Sequence, residues 1–214
     1  GSTGLYFFRS TDNGNTFDHT VNLSNNPGGS INPHMAISEN SSSLYIVWEH
    51  IPGNNGEIFF TRSTDNGATF QKPINIGTNT GLNGSPQIVA SANNVYVVWH
   101  HATNGIQLTR STDNGHTFDS AVRISGKNAY ALNPQLAASL DNVYVVWQSN
   151  PLDKNASILY SRSTDNGHTF GSQISISEAD HIDIKHERLS FNPQILTAPG
   201  TSNVYVVWHS GFTV

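Results

Sequence analysis

One polar nonapeptide is written four times in this chain: RSTDNGNTF at residues 9–17, RSTDNGATF at 62–70, and RSTDNGHTF at both 110–118 and 162–170. Its aspartates, Asp12, Asp65, Asp113 and Asp165, stand 53, 48 and 52 residues apart. A recurrence on that scale marks one structural unit per copy, and such units stack because none buries its apolar face alone. Three further marks keep phase with the box. Apolar runs end in tryptophan at Trp48, Trp99, Trp147 and Trp208, and Pro-led runs begin at Pro33, Pro86, Pro134 and Pro193. A short apolar segment (LYFF, EIFF, IQL, SILY) enters each box, and VNLS, INIG, VRIS or ISIS leaves it.

Each of these elements is short, rich in β-branched and aromatic residues, and bounded by Gly, Asn or Pro, which is strand chemistry. The unit therefore reads as four antiparallel strands: A after the proline, B ending in tryptophan, C entering the box and D leaving it. Four-stranded units at a period near 50 are the signature of propeller blades. No segment sustains a 3.6-residue period, so an all-β chain is expected, with residues 1–214 forming one domain. The chain begins at a strand C and stops after a strand B. The spacing from Trp to the next box Asp is 17, 14 and 18, and joining Val214 to Gly1 gives 18 again. Four blades, closed by pairing the N-terminal C/D strands with the C-terminal A/B strands, are the leading expectation. Two alternatives stand beside it: a segment of a larger propeller, and two chains forming an eight-bladed ring.

The box must reverse the chain between C and D. Its Asp can accept backbone N–H bonds, its Gly (Gly14, Gly67, Gly115, Gly167) takes positive φ without steric cost, and its Phe can tuck under the turn as a plug. With Ser10, Asp12, Gly14, Thr16 and Phe17 and their three sets of counterparts, the pattern resembles the Asp-box, S-x-D-x-G-x-T-F/W, of the sialidase-like β-propellers (BNR repeats). The resemblance implies that the boxes are fold elements at blade hairpins, remote from any active site. A calcium site on the box aspartates is disfavoured, because one carboxylate per turn cannot supply the several oxygens the ion needs.

Composition removes other classes. The formal net charge of -5 offers no basic footprint for nucleic acid, and no apolar run approaches the length of a membrane helix. The absence of cysteine excludes disulfides and thiolate metal sites. The opening GSTG, without an initiator methionine, leads us to expect native ends outside this sequence.

With the boxes on one rim, the D-to-A and B-to-C connections fall on the opposite rim, where propellers present their binding surfaces. From box Phe to the next Pro the count is 16, 16, 16 and then 23. The longer connection carries Asp180, His181, Asp183, His186, Glu187 and Arg188, ligand-type side chains for a divalent cation or a polar substrate, or a solvated charged loop. His50, His100, His101 and His209 follow strand B, with Glu49 and Gln148 at matching places, and His34 lies near the start of strand A opposite Gln87, Gln135 and Gln194. Such a ring suits a transition metal or a water-filled polar lining.

The resemblance also implies what a sialidase would need: three arginines on the substrate carboxylate, a Tyr–Glu nucleophile pair and an Asp acid/base. Arg9, Arg62, Arg110 and Arg162 open the boxes, leaving only Arg123 and Arg188. The triad is not identifiable, and no sialidase activity is expected. The reading is a noncatalytic, extracellular or cell-surface propeller that binds a glycan or a protein through the face opposite the boxes, as a monomer or small homo-oligomer and with no resident cofactor expected. A sialidase-like hydrolase and a structural module that oligomerises are the alternatives. Sequons at Asn22, Asn40, Asn83 and Asn155 lend the exported reading slight support.

Overall fold

The computed structural model describes residues 3–18, 20–24, 28–38, 42–53, 55–77, 81–126, 130–149, 156–177, 188–198 and 201–212. All of its elements are strands: β1 (Tyr6–Phe7), β2 (Val21–Asn22), β3 (Gly29–Ile37), β4 (Leu44–Ile51), β5 (Glu57–Ser63), β6 (Ile74–Asn75), β7 (Asn83–Ser91), β8 (Asn94–His101), β9 (Gly105–Ser111), β10 (Val122–Arg123), β11 (Ala131–Ser139), β12 (Asn142–Ser149), β13 (Ile158–Ser163), β14 (Ile174–Ser175), β15 (Arg188–Thr197) and β16 (Val204–Phe212). They form the antiparallel four-stranded blades that the repeat announces. β3–β6, β7–β10 and β11–β14 are complete A-B-C-D sheets, and the fourth blade is present as its C/D pair, β1–β2, and its A/B pair, β15–β16.

Each blade presents one face to the next. Tyr45, Val47, Ile58 and Phe60 pack against Ile88, Val95, Val97 and Trp99 of the following blade. Tyr96, Val98, Ile106 and Leu108 pack in the same way against Val143, Val145 and Trp147. Strand B is thus apolar on both faces, which is why it reads as a continuous VYVVW and not as an alternation. The inner strands β3, β7, β11 and β15 lie side by side in that order, while β15 and β3, at the ends of the row, have no comparable packing. Among the described residues β16 is hydrogen-bonded only to β15 and β1 only to β2, so the two halves of the fourth blade stand as separate sheets.

The strands of a blade are uneven in length. Strand A does not begin after its proline but three to five residues before it, and each A–B ladder carries a bulge there: Ile31/His34, Gly84/Gln87, Leu132/Gln135 and Phe191/Gln194. The bulge takes the proline out of the ladder, so its missing N–H leaves no gap. Strand D shrinks to two residues in every unit.

All four boxes make one set of bonds. Ser10 Oγ donates to Asp12 Oδ1 (2.7 Å) and accepts from Gly14 N–H (2.8 Å), while Thr16 N–H and Oγ1 donate to the two oxygens of Asp12 (2.9 and 2.6 Å). Asn13, Asn66, Asn114 and Asn166 hold φ between 56° and 59°, and the following glycines take φ of 76° to 84°. The box phenylalanine does not plug its own turn. Phe70 stacks edge-on against Phe7 of the preceding half-blade (4.8 Å between ring centres), and Phe118 does the same against Phe60 (4.7 Å). Three of the box arginines reach forward to the next box: Arg9 Nη1 donates to Asn66 O (3.2 Å), Arg62 Nη1 to Asn114 O (2.7 Å) and Arg110 Nη1 to Asn166 O (2.8 Å). The boxes are fold elements that also tie blade to blade.

Candidate functional site

The bulges put a residue in the left-handed region at one level of all four inner strands: Asn32 (φ 52°), Ser85 (51°), Asn133 (49°) and Asn192 (50°), each followed by proline. A residue before proline is ordinarily confined to extended backbone, so this conformation is stored strain, repeated at the axis and nowhere else in strand A. Asn tolerates it best because its short amide side chain bonds locally. Two residues further on stand His34, Gln87, Gln135 and Gln194. Together with the prolines of β11 and β15 these eight side chains line a cleft of about 260 Å³ that gathers the same positions from four strands.

The lining is cross-braced. Gln87 Nε2 donates to His34 Nε2 (2.8 Å), and Asn133 Nδ2 donates to Asn192 Oδ1 (3.2 Å). Glu49, at the outer end of β4, accepts from Asn32 Nδ2 (3.1 Å) and from Ser85 N–H (3.4 Å); Gln148, its counterpart on β12, accepts from Asn133 Nδ2 (3.4 Å). Desolvation by its neighbours lowers the pKa of His34, and burial, followed by the proximity of His101, lowers that of His100. Both imidazoles are therefore neutral near pH 7, and each can accept as well as donate.

The histidines after strand B divide into two sets. Glu49, His100, Gln148 and His209 directly follow the tryptophans, and Glu49 and Gln148 brace the cleft. His50 and His101, one residue further, point the other way and are buried. His101 Nδ1 accepts the N–H groups of Thr103 and Asn104 (3.2 and 3.1 Å), and His50 packs edge-on against Phe59 (5.0 Å). Gly28 and Gly81, at φ of 129° and 137°, cover these rings so closely that a Cβ would stand 2.9 Å and 3.2 Å from them. His50 and His101 thus belong to the fold and not to the axial lining. His209 lies exposed at the open end of the row, beside Phe191.

Among the described residues no three His, Asp or Glu side chains come together as a metal-binding set. Asp180, His181, Asp183, His186 and Glu187 lie outside the described residues. The backbone of Arg188 opens β15, opposite Phe212. Arg9, Arg62 and Arg110 are bound in the box rim, and Arg123 Nε donates to Asn104 O (2.8 Å), so these four stand away from the axis. Larger hollows of about 380 and 430 Å³ lie between neighbouring blades. A smaller hollow at the equivalent place two junctions earlier, around Phe7, Arg9 and Gly67, marks the first as a product of blade packing.

No protein-family model and no curated protein sequence matches the chain. Solved structures do. The chain is similar to the K499G mutant of NanB sialidase from Streptococcus pneumoniae (TM-score 0.62, 11% identity, 91% of this chain and 49% of that one). It is also similar to the α-L-arabinanase of Penicillium chrysogenum complexed with arabinobiose (TM-score 0.62, 14% identity, 96% and 67%). The GH93 α-L-arabinofuranosidase of Fusarium graminearum, likewise with arabinobiose, gives a TM-score of 0.60 at 15% identity (97% and 67%). At these identities the likeness is one of fold, and the chain spans about half the length of the sialidase.

Proposed function

We propose that the chain is a noncatalytic propeller domain of an exported or surface protein that binds a neutral glycan in the axial cleft, on the face opposite the boxes. The carrying observation is the lining: carboxamides, a hydroxyl and a neutral imidazole, repeated from four strands. A sugar hydroxyl both donates and accepts, and Asn, Gln, Ser and neutral His are the side chains that answer both demands without a charge to desolvate. The sialidase-like resemblance of the boxes and the carbohydrate named with two of the similar structures support a sugar as the ligand class.

A sialic acid would bring a carboxylate, and the four arginines bound at the box rim and at Asn104 are committed elsewhere. Hydrolysis of a glycoside needs two carboxyl groups about 5–10 Å apart across the bond. Glu49 is the carboxylate that braces the cleft, and it holds two structural hydrogen bonds. A hydrolase is the alternative reading, supported by the enzymes among the similar structures, with Asp180, Asp183 and Glu187 as the sequence's candidates for its second carboxylate.

Calorimetric titration with arabinobiose and sialyllactose, together with fluorogenic sialoside and arabinoside assays, tests the reading. Binding of the neutral sugar is expected, weakened about tenfold or more by Gln135→Ala, with no turnover of either substrate. Turnover abolished by Glu49→Gln would establish the hydrolase instead. Preference for sialyllactose would refute the neutral-ligand assignment.

A further inference from the structure

We propose that the outer groove between β2 and the first complete blade, β3–β6, is a second binding site, for a small organic carboxylate carried on an apolar ring. The groove is the hollow of about 430 Å³, within the range of about 300–1,000 Å³ that small-molecule sites occupy. Its lining shares no residue with the axial cleft.

The repeat separates what blade packing requires from what is particular to this junction. β5 brings Phe59 to the groove where β9 has Gln107 and β13 has Leu159. The segment leaving the box brings Lys72 and Pro73 where the next two units have Ser120 and Ala121, and Ser172 and Gln173. In those units the matching side chains are engaged within the fold. Gln107 Nε2 donates to Asn104 O (2.8 Å), and Gln173 Oε1 accepts Gly126 N–H (2.7 Å) across the junction of the second and third blades. Blades therefore pack without an aromatic ring and a lysine at these places. The two departures from the repeat meet on one groove.

The lining divides by chemistry. Leu23, Phe59, Phe70 and Pro73 supply an apolar floor, with Phe59 resting on Trp48 (5.8 Å between ring centres) and Phe70 on Phe7 (4.8 Å). The side-chain acceptors beside it are already used: Asn22 Oδ1 takes Ser24 N–H (3.0 Å) and Gln71 Oε1 takes Arg62 Nε–H (3.0 Å). The Thr61 hydroxyl donates to Gln71 O (2.7 Å). The polar atoms left for a ligand are donors, Asn22 Nδ2, Gln71 Nε2 and Lys72 Nζ, and Lys72 takes part in neither ion pair among the described residues. Among the described residues no carboxylate lines the groove. A donor set with one positive charge, set against aromatic rings, is complementary to an acceptor-only anionic head on an apolar body, and an aryl carboxylate has both parts.

Phenylacetate titrated into the unaltered, isotope-labelled protein is expected to shift the side-chain amide signals of Asn22 and Gln71 in NMR spectra. Phenethyl alcohol, which keeps the ring and loses the charge, and acetate, which keeps the charge and loses the ring, are each expected to bind about tenfold more weakly or worse. Lys72→Ser and Phe59→Leu install residues that neighbouring blades carry at these places, and each is expected to weaken phenylacetate binding about tenfold or more. Lys72 is exposed, so its replacement leaves the fold intact, and the outcome is decided even where Phe59→Leu fails to fold. Three results would overturn the proposal: no shift at Asn22 and Gln71, an alcohol bound as tightly as the acid, or binding undiminished by Lys72→Ser.

Discussion

Asn83 opens strand A of the second blade and carries a sequon, yet it is only 2% exposed. Its Nδ2 donates to Gly56 O at 2.8 Å, and its Oδ1 accepts the indole N–H of Trp99 at 2.9 Å. Trp99 has no access to water, so removing the acceptor strands a buried donor. Asn83→Ala thus loses two hydrogen bonds of about 1 kcal/mol each, and the orphaned indole adds a desolvation cost of about 1–3 kcal/mol. Some of this overlaps, and a net loss of about 2–4 kcal/mol is expected. For a chain of this size that lowers the melting temperature by roughly 4 to 16 °C in calorimetry. The third blade provides the internal control. Ala131 occupies the matching position, and Trp147 Nε1 is buried without a partner, so the fold already tolerates this state once. An Asn83→Ala protein within about 0.5 kcal/mol of the parent would refute the reasoning. So would a folded protein glycosylated at Asn83, because a glycan cannot enter a site closed by Gly56 and Trp99.

The glycines of the boxes offer a graded comparison. Gly14→Ala and Gly115→Ala both place Ala at φ near 80°, costing about 1–2 kcal/mol, but Gly115→Ala also drives a Cβ to 2.8 Å from Phe60. In dilute, monomeric protein Gly115→Ala should therefore unfold at a lower denaturant concentration than Gly14→Ala, and equal midpoints would deny the close blade contact. Acid should weaken the boxes. Hydrogen bonds from Thr69 and Ser63 lower the pKa of Asp65 from 3.8 to about 2, and bonds from Ser10 and Thr16 do the same for Asp12. A carboxyl depressed in the folded state stabilises above its unfolded pKa and ceases to do so as pH falls through the folded value. Stability is thus expected to decline between about pH 4 and pH 2, and the deficit of Asp65→Asn relative to the parent to shrink over that interval in denaturant titrations. A deficit constant with pH would contradict the assignment.

The fold was legible because four independent marks kept phase, and each mark had a mechanism. VYVVW is apolar throughout because blades cover both faces of strand B; the box is invariant because Ser, Asp, Gly and Thr each hold a bond of one turn. What could not be read were contacts between units. Nothing within RSTDNGHTF says that its phenylalanine rests on the preceding blade or that its arginine reaches the next one, since both depend on how sheets stack. The bulge was hidden for a local reason: a residue before proline is expected to be extended, and Asn32, Ser85, Asn133 and Asn192 override that preference in the folded state. The recurrent Asn-Pro and Ser-Pro steps were the available signal, and they pointed to the start of a strand when they marked a kink within one.

The site was partly readable, and its errors were errors of parity. Glu49 and His50 are neighbours on β4, as His100 and His101 are on β8, but successive residues of a strand face opposite ways. Glu49 follows Trp48 and braces the axis; His50, one residue on, lies under Gly28. Counting in twos from each tryptophan separates axial residues from buried ones without a structure, and it places His100, Gln148 and His209 with Glu49. The same count applied along strand A joins Asn32 to His34 and Ser85 to Gln87, which is the lining of the cleft. A four-fold polar ring at the axis is therefore the product of two phases, the period of the repeat and the period of the strand. The strain at the bulges fixes its depth, because the left-handed residue, Asn32, Ser85, Asn133 or Asn192, contributes its polar side chain to the cleft at one level of all four inner strands.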